Sequence, residues 1–264
     1  MTPRYNYDSK LVELAYGYLL DHEGVTEEII DKHMEHWKEG KAHTTSDLLF
    51  GMVNSVRNRR GMPNAIGDIE RLREFLEDFS PLGIASKYKG DWEKLFITIE
   101  RNYTPPGRMA IGESRSYWVI FCKSVISASD FLSKFSSVDD FDNFVSQFYL
   151  NEYTRVALPL FLDKEIFGFG FALACDFLKE NGYPKFVKPD VHIKKIFNGL
   201  GISNSESDYD VFKDVIRFSE SINQIPYEVD KLFWLVGSGN FYLNIGKVVT
   251  SREEFISIAK KELQ

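Results

Sequence analysis

Ile166-Phe-Gly-Phe-Gly-Phe-Ala-Leu-Ala-Cys175-Asp-Phe-Leu-Lys-Glu-Asn-Gly182-Tyr-Pro-Lys-Phe-Val-Lys-Pro-Asp190-Val-His-Ile-Lys-Lys195 is the stretch whose reading decides the fold. Its spacing predicts a tight turn at Gly168-Phe169-Gly170, then an apolar-faced helix over 171–181. Gly182-Tyr183-Pro184 breaks that helix. Asp190 follows among Lys185, Lys188, Lys194 and Lys195, at the N-cap side of a further apolar-periodic segment over 191–200. A turn with two glycines can offer its backbone N–H groups to an anion, and the helix start behind it adds partial positive charge. An anion cradle and a carboxylate joined by one helix suggest a site for a phosphodiester polymer. The same residues also fit a plain helical hairpin, with Gly168 and Gly170 as punctuation and Asp190 as a cap.

Outward from this stretch the periodicity is helical almost throughout. Leu11, Leu14, Ala15, Tyr18 and Leu19 mark one face; Ile29, Ile30, His33 and Trp37 mark a second, begun by Thr26-Glu27-Glu28. Thr44 or Thr45 caps a helix carrying Leu48, Leu49, Met52, Val53 and Val56, which ends near Gly61. Ile69, Leu72, Phe75 and Leu76 give the next face, followed by Trp92, Leu95, Phe96 and Ile99. Tyr103-Thr-Pro-Pro-Gly107 is a loop. A long aromatic helix is expected over 114–134, then a face of Phe141, Phe144, Val145 and Phe148, and further helices over 210–221, 229–236 and 252–262. Only 243–249 reads as extended. The expected fold class is all-α.

The 264 residues are enough for one large domain or two lobes. No apolar run is long enough to span a bilayer, and the polar opening Met1-Thr-Pro-Arg-Tyr does not read as a signal peptide, so cytoplasmic residence is expected. Cys122 and Cys175, the only cysteines, exclude a disulfide framework and a four-cysteine metal site, and both read as buried inert thiols. A net charge of −7 argues against a general nucleic-acid coat protein. It leaves room for a local basic footprint, and two clusters qualify: Arg57-Asn58-Arg59-Arg60 and the lysines around Asp190.

In order and without a gap, Gly168-Phe169-Gly170, Gly182-Tyr183-Pro184 and Asp190-Val191-His192 resemble the signature of the helix-hairpin-helix (endonuclease III, HhH-GPD) superfamily of DNA glycosylases. In that family an apolar-Gly-apolar-Gly hairpin leads through a helix to a Gly-aromatic-Pro turn and then Asp-x-His. The resemblance continues weakly through 48–65 and Leu232-Phe-Trp-Leu-Val-Gly-Ser-Gly239. It implies two helical lobes flanking a cleft: a helical barrel over about 41–183, and a second lobe of about 1–40 plus 184–264, with the hairpin and Asp190 at the cleft mouth.

The function implied by the resemblance is excision of a damaged, mismatched or modified base from DNA, expected to be double-stranded, by a monomer. The setting is repair or defence against phage DNA carrying modified bases. Asp190 falls on the family's catalytic Asp. The DNA contacts implied are Gly168, Phe169, Gly170 and Phe171 of the hairpin, together with Lys188, His192, Lys194 and Lys195. Arg57, Asn58, Arg59 and Arg60 match the loop that enters the base stack, with Arg57 at the inserting position; a solvated basic turn is the alternative. The family's lyase lysine falls on Ala172, which has no amine, so base release without backbone cleavage is expected. Lys164 and Lys179 are near in sequence but off the matched position. Adenine excision through a pocket glutamate is disfavoured, because 48–67 holds no acidic residue. Asn54, Tyr117 and Trp118 are the base-pocket candidates, the aromatics fitting a packed core as well. No iron–sulfur cluster is expected, since that needs four thiolates; the hairpin carbonyls can hold a monovalent cation by resemblance. Competing readings are a hairpin DNA-binding module without catalysis and an all-α protein adaptor.

Overall fold

The computed structural model describes residues 3–263, with side chains from residue 7 onward. It is all-α apart from one two-stranded hairpin, and the chain divides into two units. One comprises Ala42–Leu150 and Ala157–Phe177; the other comprises Met1–Lys41, Asn151–Val156 and Leu178–Gln264.

In the first of these units the helices are α3 (Thr45–Arg57), α4 (Met62–Ile66), α5 (Pro81–Tyr88), α6 (Trp92–Asn102), α7 (Tyr117–Leu132) and α8 (Val138–Ser146), with most of α9 (Glu152–Glu165) and the start of α10 (Gly170–Glu180). Thr44 opens α3 with a capping box: its hydroxyl accepts from Asp47 N–H at 3.1 Å and its own N–H donates to Asp47 Oδ2 at 2.9 Å. α7 is the hub and packs on α3, α4, α5 and α6. Its buried residues run all round the helix, as a helix walled in by others requires. It is shorter at both ends than the expected 114–134. Phe131, Phe135, Phe144 and Phe161 close the far end as a ring cluster, Phe131 lying 5.4 Å from Phe135 and 6.0 Å from Phe161.

The apolar face at Ile69, Leu72, Phe75 and Leu76 is buried as its spacing implies, but it is no regular helix. A short 3-10 helix, Ile69–Leu72, gives way to turns, and Glu77, Asp78 and Phe79 all take positive φ. Phe79 is buried edge-on against Phe50, 5.0 Å away, so burial of its ring accompanies the unusual backbone. Ser80 then caps α5 at Gly83 N–H, with Pro81 in the first turn, where its missing donor costs nothing.

The other unit holds α1 (Pro3–Leu20), α2 (Glu27–Glu35), α11 (Val191–Gly199), α12 (Asp208–Ser221), α13 (Pro226–Ser238) and α14 (Arg252–Glu262). α13 is central, packing on α1, α2, α11, α12 and α14. It exceeds the expected 229–236 because Pro226 starts it and Gly239, at φ 59°, stops it. The extended segment expected at 243–249 is reduced to β1 (Asn240–Phe241) antiparallel to β2 (Gly246–Lys247). A Cβ at Gly239 would lie 2.1 Å from the Val248 carbonyl, so only glycine lets the hairpin close on the end of α13.

Candidate catalytic carboxylate and hairpin

Asp190 ends the segment after Pro184 and caps α11. Its Oδ1 accepts from His192 N–H at 2.8 Å and Ile193 N–H at 3.0 Å. Oδ2 has no hydrogen bond among the described residues, and the residue is half-buried. One oxygen is therefore held by the helix start while the other stays available. The chain approaching Asp190 is fixed from below: Asp190 N–H donates to Lys188 O at 2.8 Å, and Lys188 N–H donates to Asp230 Oδ2 at 2.9 Å.

Asp230 lies in the middle of α13, wholly buried, and its carboxylate also meets Lys179 Nζ at 2.6 Å. Its Oδ1 is buried without a hydrogen bond. Burial pushes the Asp230 carboxyl up, and the Lys179 ammonium pulls against that. Beside this pair, Lys231 bonds Glu180 at 3.0 Å and the Tyr242 hydroxyl at 3.0 Å, and burial pushes its ammonium down. Burial alone would raise Glu180, but Lys231 and Lys179 outweigh it and hold the carboxyl low. Nothing in the hairpin motif points to Asp230 and Lys231. The available signal is a charged pair set in an apolar helical run, which is costly to bury unless partnered.

The other residues expected around Asp190 differ in their surroundings. Lys194 is ion-paired with Asp208 and donates to Glu206 O at 3.2 Å, so its charge is locally met. Lys195 is exposed, and Lys188 is half-buried. His192 is half-buried against Gly237, where a Cβ would come within 2.7 Å of its own Cβ. Burial holds the imidazole below its ordinary value, and Arg252 Nη1 faces its Nδ1 at 3.5 Å.

In the other unit, the hairpin joins α9 to α10. Gly168 and Gly170 have φ of 69° and 57°, a region that side chains disfavour. Hydroxyls of α7 staple the turn: Ser124 donates to Phe167 O at 2.7 Å, and Phe167 N–H donates to Ser127 Oγ at 2.9 Å. A side chain at Gly168 would be crowded, since its Cβ would meet Ile120 and Ser124 at 3.2 and 3.3 Å. Gly170 is different: nothing lies within 4 Å of a Cβ there. Phe169 is buried as the hairpin's anchor, whereas Phe171 is half-buried. The first N–H groups of α10 fall outside the helix's own hydrogen-bond ladder. Ala172 lies in that first turn. Lys164 is exposed and 3.5 Å from Asp163, and Lys179 is the buried partner of Asp230.

The basic loop after α3 comes to the hairpin. Asn58 Nδ2 donates to Asp176 Oδ2 of α10 at 3.1 Å, and a Cβ on Gly168 would lie 3.8 Å from Arg59 Nη1. Arg59 and Arg60 are exposed. Arg57 turns inward instead, its Nη1 donating to Gly67 O at 3.0 Å. Of the pocket candidates, Trp118 is fully buried against Phe121 and belongs to the core. Tyr117 is partly exposed, with its hydroxyl on Arg60 O at 3.1 Å, and Asn54 is half-buried on α3.

Among the described residues no group of three or more His, Cys, Asp or Glu is placed to hold a metal. Cys122 and Cys175 are buried and form no disulfide, burial raising the former. Of the hairpin carbonyls, that of Ile166 accepts Phe169 N–H at 3.2 Å and that of Phe167 accepts Ser124. No described helix is long and apolar enough to cross a membrane.

The likeness found among solved structures is one of fold. Among solved structures the chain is similar to the 8-oxoguanine glycosylase/lyase of Methanocaldococcus jannaschii, seen in complex with a 15mer DNA containing 8-oxoguanine. The likeness has a TM-score of 0.52 and 19% sequence identity, over 86% of this chain and 96% of that one. No protein-family model and no curated protein matches the sequence.

Proposed function

We propose that this chain is a monofunctional DNA glycosylase, which hydrolyses the N-glycosidic bond of a damaged, mismatched or modified base in duplex DNA. The observation that carries the reading is Asp190, with one oxygen committed to the start of α11 and the other unengaged. In the proposed reaction the C1′–N bond breaks, its electron pair leaves with the base, and the sugar gains oxocarbenium character. The carboxylate stabilises that cation and accepts a proton from the water whose oxygen bonds to C1′. The hairpin amides, with Arg59 and Arg60 nearby, hold the DNA backbone, and Lys195 adds charge near Asp190. Extrusion of the base costs a few kcal/mol, which these backbone contacts offset.

The similar structure is named a glycosylase/lyase. For this chain, Ala172 at the position of the lyase lysine and the ion-paired burial of Lys179 support base release without strand cleavage. The test is base release under single-turnover conditions from duplexes carrying 8-oxoguanine, alkylated bases, mismatches and naturally modified bases. The expected product is an abasic strand that breaks only after alkali, with no borohydride-trapped adduct, since trapping needs an imine from a free amine. Binding without release from any duplex would leave a DNA-binding module; a trapped adduct would make the enzyme a lyase.

A further inference from the structure

The hairpin has a companion on its own unit. Lys123 of α7 is held between Trp92, the first residue of α6, and Phe167 at the hairpin. Its Nζ lies 4.6 Å from the Trp92 ring centroid and 5.2 Å from that of Phe167. Phe167 is 48% exposed, so this aromatic cage opens to solvent where the hairpin does. Arg59 stands beside Gly168 of the same turn. Neither Lys123 nor Arg59 has a carboxylate within ion-pair distance among the described residues. Lys134 of the same unit, by contrast, pairs with Glu165 at 3.2 Å.

The choice of partner matters. A carboxylate would cancel the ammonium charge, whereas ring faces hold it in place through their quadrupoles and leave its net charge intact. The cage thus fixes a flexible side chain in advance, which lowers the ordering cost of a later contact. An ammonium with three donors, kept charged and oriented next to a turn that presents amide N–H groups, suits an anionic oxygen. Basic side chains beside such a turn extend its reach along a phosphodiester backbone.

We propose that Lys123, caged by Trp92 and Phe167, is a phosphate-binding residue that works with Arg59 to extend the hairpin's grip on DNA. The proposal rests on the DNA-binding reading above. A cation that neutralises one phosphate contributes about 0.9 to the slope of log affinity against log salt, whatever the base sequence.

The experiment measures binding of the full chain to undamaged duplexes of unrelated sequence across a salt series. Lys123→Gln is expected to lower the slope by about 0.9 on each duplex. Lys123→Arg should keep the slope. Trp92→Leu should weaken binding several-fold with the slope kept, because the charge remains while its cage is lost. Lys134→Gln, which removes an ion-paired cation, should change neither. If Lys123→Gln lowers thermal stability but leaves the slope at the wild-type value, the cage is a structural staple and the proposal falls. It also falls if Lys134→Gln gives the same slope loss. Absence of binding by the wild-type chain at low salt would remove the DNA-binding reading and this proposal together. Normal wild-type binding with an unchanged Lys123→Gln slope removes this proposal alone.

Discussion

The buried pair of Lys179 and Asp230 makes a quantitative demand on the fold. Asp230→Asn keeps a side-chain oxygen for Lys188 N–H but removes the counter-charge 2.6 Å from Lys179, leaving the ammonium buried with Glu180 3.7 Å away. Lys179→Met leaves the opposite defect, a buried carboxylate whose Oδ1 already lacks a hydrogen bond. Removing one partner of a buried pair costs about 3–5 kcal/mol. For a chain of this size that lowers the melting temperature by roughly 2–4 °C per kcal/mol. The double variant removes both charges together and is expected to be more stable than the sum of the single losses by about 2 kcal/mol or more. Urea unfolding of the wild type, both singles and the double closes the cycle. Additive effects, each below about 1 kcal/mol, would refute the buried pair, because such values belong to solvent-exposed ion pairs.

Gly170→Leu should weaken DNA binding on every sequence alike while costing only the strain of a left-handed residue, about 1–2 kcal/mol, because no atom lies within 4 Å of the new Cβ. Gly24→Leu, equally open at φ 80°, is the matched control for strain, and an equal binding defect there would contradict the assignment. Burial holds His33 and His192 below their ordinary value, so the unfolded chain binds more protons than the folded one as pH falls below about 6.5. Stability is therefore fully present above that pH and declines below it. His33→Gln should flatten the decline, since His33 Nε2 accepts Leu243 N–H at 3.3 Å only while unprotonated. Urea midpoints at about pH 5 and about pH 8 measure the difference.

Helices were legible wherever caps and periodicity agreed. Thr44 or Thr45 marked the start of α3, which Thr44 caps, and the periodic segment over 252–262 is α14. The region 69–79 was not legible as structure, because apolar spacing reports burial and not backbone geometry; here the backbone turns through three positive φ values. The Gly-x-Gly turn and Asp190 stood out because each needs a particular residue type locally. The residues that support them are long-range and leave little local trace. Ser124 and Ser127 reach the hairpin across more than 39 positions, and Asp230 reaches Lys188 across 42. Trp118 could not be separated from a pocket wall by spacing alone; its complete burial places it in the core.

The central claim is that the charge of Asp190 drives base release, and Asp190→Asn isolates that charge. Asparagine caps a helix about as well as aspartate, so α11 and DNA binding should survive. On whichever duplex the wild type processes, the account predicts a single-turnover rate lower by at least about a hundredfold, about 2.7 kcal/mol or more of lost transition-state stabilisation, with affinity for the duplex unchanged. A folded Asp190→Asn variant that releases the base at the wild-type rate would contradict the account.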